Sequence, residues 1–195
     1  MVVRPWFSIC LCAAAAVSIS FLQADEAPKA VETVEVKLKD LVLNLPKDWE
    51  TSDTVNNMRL ATYVIPAAEG DKDKGELAIS TFGRDGGGVA ANLKRWVGQF
   101  DAEGREVTIK KGKAGENTYH IADISGIYQK SSGPPILRKT SPVKGYRMLG
   151  VIYQVKGKDV YFLKLTGPDA TIKAQADALR ATFGAKVEGE EDYEI

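Results

Sequence analysis

An apolar segment at the amino terminus holds both cysteines of the chain, Cys10 and Cys12, and so limits how the remainder can fold. Arg4 is the only charged residue in this segment, and an apolar run leads to a small residue at Ala24. This order is typical of a secretory signal peptide. We therefore expect residues 1–24 to be removed, which leaves a mature chain with no cysteine and no possible disulfide.

An uncleaved membrane anchor is the alternative, because the apolar run is close to the shortest length that spans a bilayer. Serines interrupt the run, which favours cleavage. Lipidation is disfavoured, because Ile9 and Leu11 precede the two cysteines where a lipoprotein signal carries small residues. The sequence favours a secreted or periplasmic protein with no stable membrane span after cleavage.

We predict cleavage after Ala24, because only this site joins the end of the apolar run to a small residue followed by charge. Amino-terminal sequencing of the exported protein is expected to read Asp-Glu-Ala-Pro. An intact Met1 on a membrane-bound species would contradict cleavage.

The length fits one domain, and the charge balance argues against a nucleic-acid partner. Without Arg4 the mature chain has 25 basic and 26 acidic residues, a net charge of −1. Such a balance gives no long-range attraction for nucleic acid. We expect a flexible lead-in at residues 25–33, a single domain at 34–185 and an acidic, disordered tail at 186–195.

Hydrophobic periodicity predicts an α+β fold, a mainly antiparallel sheet flanked by helices. The strand at 118–128 has apolar residues on both faces, which predicts a central strand covered on both sides. A long loop is expected at 129–144. Alternation predicts strands at 34–38, 41–45, 58–65, 76–82, 106–110, 118–128, 147–155 and 160–166, and helical spacing predicts helices at 89–100 and 169–183.

A resemblance to a known fold rests on the segment Leu-Asn-Leu-Pro-Lys-Asp-Trp at 43–49, the long middle strands and a closing hairpin before one helix. This order resembles the PsbP-like fold, an α+β sandwich shared by an extrinsic subunit of photosystem II and a Ran-binding nuclear protein. Residues 87–100 also resemble small secreted bacterial proteins of uncharacterised function. The resemblance implies a fold and no activity.

Residue content excludes much catalytic chemistry. His120 is the single histidine, so a zinc site lacks ligands and a Ser-His-Asp triad would have to use this residue. Asp123 and Ser125 lie an odd number of residues from His120 along a strand, so they face away from it. We expect a half-buried, hydrogen-bonded strand histidine, and we assign no catalytic residue, metal or cofactor.

Three polar residues on the first helix form the most informative set. Asn92, Arg95 and Gln99 fall within about 60° of arc, beside the apolar stripe that contains Trp96. Arg95 can bind a carboxylate with two hydrogen bonds, and the amides can donate or accept. These side chains either tie the helix to a neighbouring loop or contact a ligand or partner.

Positive charge also collects in the expected loop at 129–144. Arg138 and Lys139 are its contact candidates, with Lys130, Lys144 and Arg147 nearby. The loop is either solvated and mobile or a contact for an acidic partner.

The sequence thus favours an exported, non-enzymatic domain that binds an unknown protein or small ligand. A hydrolase without a recognised motif and a structural envelope component are the alternatives. A pocket holding Asn92, Arg95 and Asp123 would favour a ligand binder or an enzyme, whereas an open flat surface would favour a protein partner.

Overall fold

The computed structural model describes residues 31–53, 58–84, 86–132 and 139–195, so the expected signal peptide and most of the lead-in lie outside the described residues. None of the described helices is long and apolar enough to cross a membrane. The elements are β1 (Thr33–Leu38), β2 (Leu41–Pro46), β3 (Glu50–Thr51), β4 (Ala61–Ile65), β5 (Gly75–Thr81), α1 (Val89–Val97), β6 (Glu106–Ala114), β7 (Asn117–Ser131), β8 (Thr140–Gln154), β9 (Val160–Pro168), α2 (Asp169–Ala174), α3 (Ala176–Thr182), a 3-10 helix (Val187–Gly189) and β10 (Glu191–Asp192).

The main sheet has eight strands in the order β10-β6-β7-β8-β9-β5-β4-β3, and each adjacent pair is antiparallel. Strands β1 and β2 form a separate hairpin. Strand accounts for 50% of the structure and helix for 16%. The expected α+β sandwich is therefore wrong: the fold is β-rich, and its three α-helices are short.

The expected loop at 129–144 explains part of this difference. Strand β7 continues to Ser131 and β8 begins at Thr140, so both ends of the segment belong to two paired strands. Pro142 opposes Gln129 in this ladder although it has no N–H to donate. At Pro142 the chain is therefore extended where a loop was expected, and residues 133–138 lie outside the described part.

The sheet buries apolar residues on both faces. On one face, Tyr119 and Ile121 of β7 belong to a cluster with the β1–β2 hairpin, α2 and α3. On the other face, Ala122 and Ile124 join a cluster with α1. The prediction that β7 is a central strand covered on both sides is confirmed.

The expected carboxy-terminal helix is divided into α2 and α3 at Gln175. Its apolar stripe nevertheless stays on one side, because Ile172, Leu179 and Phe183 all enter the cluster that contains the β1–β2 hairpin. The apolar stripe therefore predicted the buried face correctly but did not predict the interruption of the helix at Gln175.

The acidic tail was expected to be disordered, but it forms the 3-10 helix and β10. Glu191 and Asp192 pair with Lys111 and Lys110 at the edge of the sheet. Their side chains form ion pairs with the same two lysines, at 3.1 and 2.7 Å. Opposite charge in the tail and in β6 therefore orders a segment whose composition alone is typical of disorder.

Candidate ligand-binding pocket

Helix α1 is fixed on the sheet by its apolar stripe and by one close contact. Leu93, Trp96 and Phe100 are buried in the cluster beneath it. The ring of Trp96 lies directly over Gly150 of β8, where an added Cβ would come within 2.5 Å of the ring. A side chain at position 150 would therefore displace the helix.

The start of α1 is secured by Asn92. Its Nδ2 donates to the carbonyl oxygens of Gly86 and Gly88, at 2.6 and 2.7 Å, and its Oδ1 accepts from Arg95. Gly86 and Gly88 have positive φ angles, which glycine adopts without strain. Asn92 is buried and uses all its polar atoms in this way, so it holds the loop and positions Arg95.

A pocket of about 590 Å³ opens under α1, beside the polar strip formed by Asn92, Arg95 and Gln99. Its volume lies in the range of typical small-molecule sites. The walls come from α1 and the turn after it, from β5 and β9, from the end of β7 and from the residues before β4. The lining residues are Met58, Arg59, Ala78, Ser80, Phe82, Asn92, Arg95, Trp96, Gln99, Ser131, Phe162 and Lys164.

Lys164 is the central charged group of the pocket. Its Nζ donates to Gln99 Oε1 at 2.6 Å and to the hydroxyl of Tyr128 at 3.0 Å. Burial lowers the pKa of Lys164 to about 8, and the Arg59 guanidinium acts in the same direction while Glu76 opposes it. Among the described residues no carboxylate forms an ion pair with this ammonium group.

Two arginines add to the positive charge. Arg95 is held by Asn92 and has no carboxylate partner in the described part of the chain. Arg59 is neutralised in part, because its Nη1 donates to Glu76 Oε1 at 2.9 Å. Among the residues that the structure describes, the lining therefore carries three cations and no acidic side chain.

Apolar side chains form the other wall. The rings of Phe82 and Phe162 are 5.5 Å apart, and Trp96 meets Phe162 edge to face at 6.2 Å. Phe82 is 59% exposed and Met58 is 62% exposed. The pocket thus combines an exposed Arg95 and a half-buried Lys164 with an apolar rim.

The structure brings three predicted residues together: Asn92, Arg95 and Gln99 line this one pocket. Of the two candidates from the basic segment, Lys139 is not among the described lining residues. Lys139 is exposed beside the tip of the β7–β8 hairpin, and Arg138 lies outside the described residues.

Asp123 lies on the other face of the sheet. Both of its oxygens accept hydrogen bonds from Arg147 Nη1, at 2.6 and 2.8 Å, and Arg147 Nε donates to Asp169 at 2.8 Å. Burial raises the pKa of Asp123, and Arg147 opposes this shift. The grouping of Asn92, Arg95 and Asp123 is therefore absent, and Asp123 belongs to an ion-pair network on the far side.

His120 lies in a second pocket of about 590 Å³, together with Lys111 and Glu191. The histidine is half-buried, and within the described part of the chain its Nδ1 has no hydrogen-bond partner, so the expected hydrogen bond is not found at this atom. Instead the ring meets Tyr193 edge to face at 4.5 Å. Lys111 and Glu191 neutralise each other, so this pocket has less unpaired charge than the pocket under α1. Within the described residues no group of three His, Cys, Asp or Glu side chains could hold a metal ion.

Sequence reasoning missed Lys164, although a signal was present. It is the one charged residue in the otherwise apolar run from Val160 to Leu165. In the sheet it lies between Ala78 of β5 and Gly150 of β8. The small side chain of Ala78 leaves room on one side of Lys164, and Trp96 covers Gly150 on the other. Such a placement could be recognised only once the register was known.

Comparisons with known proteins add little information about the function of this pocket. No protein-family model matches the chain, and no curated protein matches it. Among solved structures, one match is a Pseudomonas aeruginosa protein of unknown function, described as a putative regulator. It has 14% identity and a TM-score of 0.40, and the match covers 76% of this chain and 92% of that one. None of these findings supports the PsbP-like resemblance.

Proposed function

We propose that this is an exported, non-enzymatic binding protein that takes up a small organic anion with an apolar body. The observation that carries the proposal is the half-buried ammonium group of Lys164, which donates to neutral partners and pairs directly with no carboxylate among the described residues. A charge that is partly removed from water and not directly paired destabilises the free protein, and a bound anion would supply the pairing.

The surroundings of Lys164 support the same ligand class. Arg95 is oriented by Asn92 and has no other described partner, so its remaining donors can bind a carboxylate or phosphate group. Phe82 and Phe162 offer aromatic surface to the rest of the ligand. A concave site with few convergent polar groups favours a small ligand over a protein partner, which would need a larger surface.

We expect phenylacetate and phenyl phosphate to bind the mature protein, because each joins an anionic group to an aromatic ring. The neutral 2-phenylethanol and the cationic phenethylamine are expected not to bind. Isothermal titration calorimetry measures each affinity. Affinity for the anions should fall above about pH 8, where Lys164 loses its proton and its charge.

Arg95→Met tests whether Arg95 contributes to ligand binding or only to the stability of α1. We expect anion binding to fall at least tenfold while the melting temperature stays equal or rises, because Arg95 is exposed and its replacement breaks no ion pair with a described carboxylate. Lys94→Met is the matched control: it removes one charge from an exposed position on the same helix and should leave binding unchanged. A loss of stability with binding intact would show that Arg95 only braces the helix.

A further inference from the structure

We propose that Lys164 is a carbonyl-reactive amine that forms an imine with small 2-oxo acids in the pocket under α1. The proposal rests on the proposed anion binding and adds a covalent step and a narrower ligand class.

The partners of Lys164 allow its amine to lose a proton. Nζ contacts an amide oxygen of Gln99 and the phenol of Tyr128, and neither group is charged. No described carboxylate holds the proton on the ammonium group by direct pairing. Burial and the nearby Arg59 lower its pKa to about 8, so the neutral, nucleophilic form is far more populated near neutral pH than it is for an exposed lysine.

The neighbouring groups indicate a ligand that carries both a carboxylate and a carbonyl. Arg95 lies four residues before Gln99, which follows the end of α1 and accepts a hydrogen bond from Nζ, so a guanidinium group and the amine line the same pocket. The carboxylate of a 2-oxo acid would pair with Arg95 and present its adjacent carbonyl carbon to Lys164. An apolar substituent would then meet Phe82 and Phe162.

The reaction balances without a co-reactant. The ammonium group of Lys164 first releases a proton to solvent, and its nitrogen lone pair then attacks the carbonyl carbon to form a carbinolamine. Loss of the hydroxyl group as water produces the C=N bond. The phenol of Tyr128, 3.0 Å from Nζ, is placed to pass a proton to the departing hydroxyl group.

Reductive trapping with phenylpyruvate tests the proposal. The mature protein is incubated with phenylpyruvate and sodium cyanoborohydride, and the modified peptide is identified by mass spectrometry. We expect one adduct at Lys164, with at least tenfold more modification there than at Lys94, which is exposed. Phenylacetate, which lacks the carbonyl, should produce no adduct and should suppress trapping by competition.

The variants and controls separate this proposal from anion binding itself. Lys164→Arg should abolish the adduct, whereas Lys94→Arg should leave it unchanged. If the wild-type protein is modified evenly over its surface lysines, or if the adduct persists in Lys164→Arg, the imine proposal is wrong. If phenylacetate binds by calorimetry while no adduct forms at Lys164, only the covalent step fails; if phenylacetate does not bind, the proposed function fails as well.

Discussion

Trp96→Ala is expected to lower the free energy of unfolding by roughly 3–5 kcal/mol, the usual cost of truncating a buried aromatic side chain. Trp96 is 6% exposed and fills the space above Gly150. It also meets Phe162 edge to face, so its removal leaves a cavity lined by a glycine and an aromatic ring. The surroundings can collapse only if α1 moves toward the sheet.

Urea denaturation of the wild-type protein and of Trp96→Ala measures this loss of unfolding free energy. Lys94→Ala is the control, because Lys94 is exposed on the same helix and a surface substitution usually changes stability by about 0.5 kcal/mol or less. An unchanged midpoint for Trp96→Ala would mean that α1 presents its other face to the sheet.

Arg180→Met is expected to cost about 3 kcal/mol and to release the carboxy-terminal tail. Arg180 binds Glu190 through two hydrogen bonds, at 2.7 and 3.1 Å, and the two side chains are only 15% and 4% exposed. Removing the guanidinium leaves a buried carboxylate whose remaining described partner is the hydroxyl of Tyr119, at 3.1 Å. An unpaired buried charge is strongly destabilising.

Two further variants give this prediction its controls. Lys111→Met breaks an exposed ion pair with Glu191 and should cost about 0.5 kcal/mol, since surface pairs contribute little. Arg180→Met combined with Glu190→Met removes both charges and should recover most of the lost stability. Chemical denaturation compares all three, and equal losses for Arg180→Met and Lys111→Met would show that the Arg180–Glu190 pair is not specially stabilising.

Local patterns predicted the elements of this protein better than their assembly. The stripe of Leu93, Trp96 and Phe100 identified the buried face of α1, and alternation in β7 identified a strand covered on both sides. Each of these signals arises within a single element. The balance of strand and helix was misjudged in part because a loop was expected at 129–144, where β7 continues to Ser131 and β8 begins at Thr140.

The pocket depends on long-range register, which local periodicity does not contain. The strip of Asn92, Arg95 and Gln99 could be read from helical spacing, and these residues do line one pocket. Lys164 could not be placed there, because its position depends on which residues of β5 and β8 oppose it. The order of the tail could not be predicted for a similar reason: its acidic residues pair with lysines that lie about 80 positions earlier in the chain.

Strand β10 has a consequence for self-association. A strand at the edge of a sheet exposes unpaired N–H and C=O groups, and another molecule can pair with them and begin an aggregate. At Lys110 and Lys111 the protein's own tail occupies this position. An intermolecular strand cannot add at these two positions while the tail is in place, so the ion pairs that hold the tail also block strand addition to this part of β6.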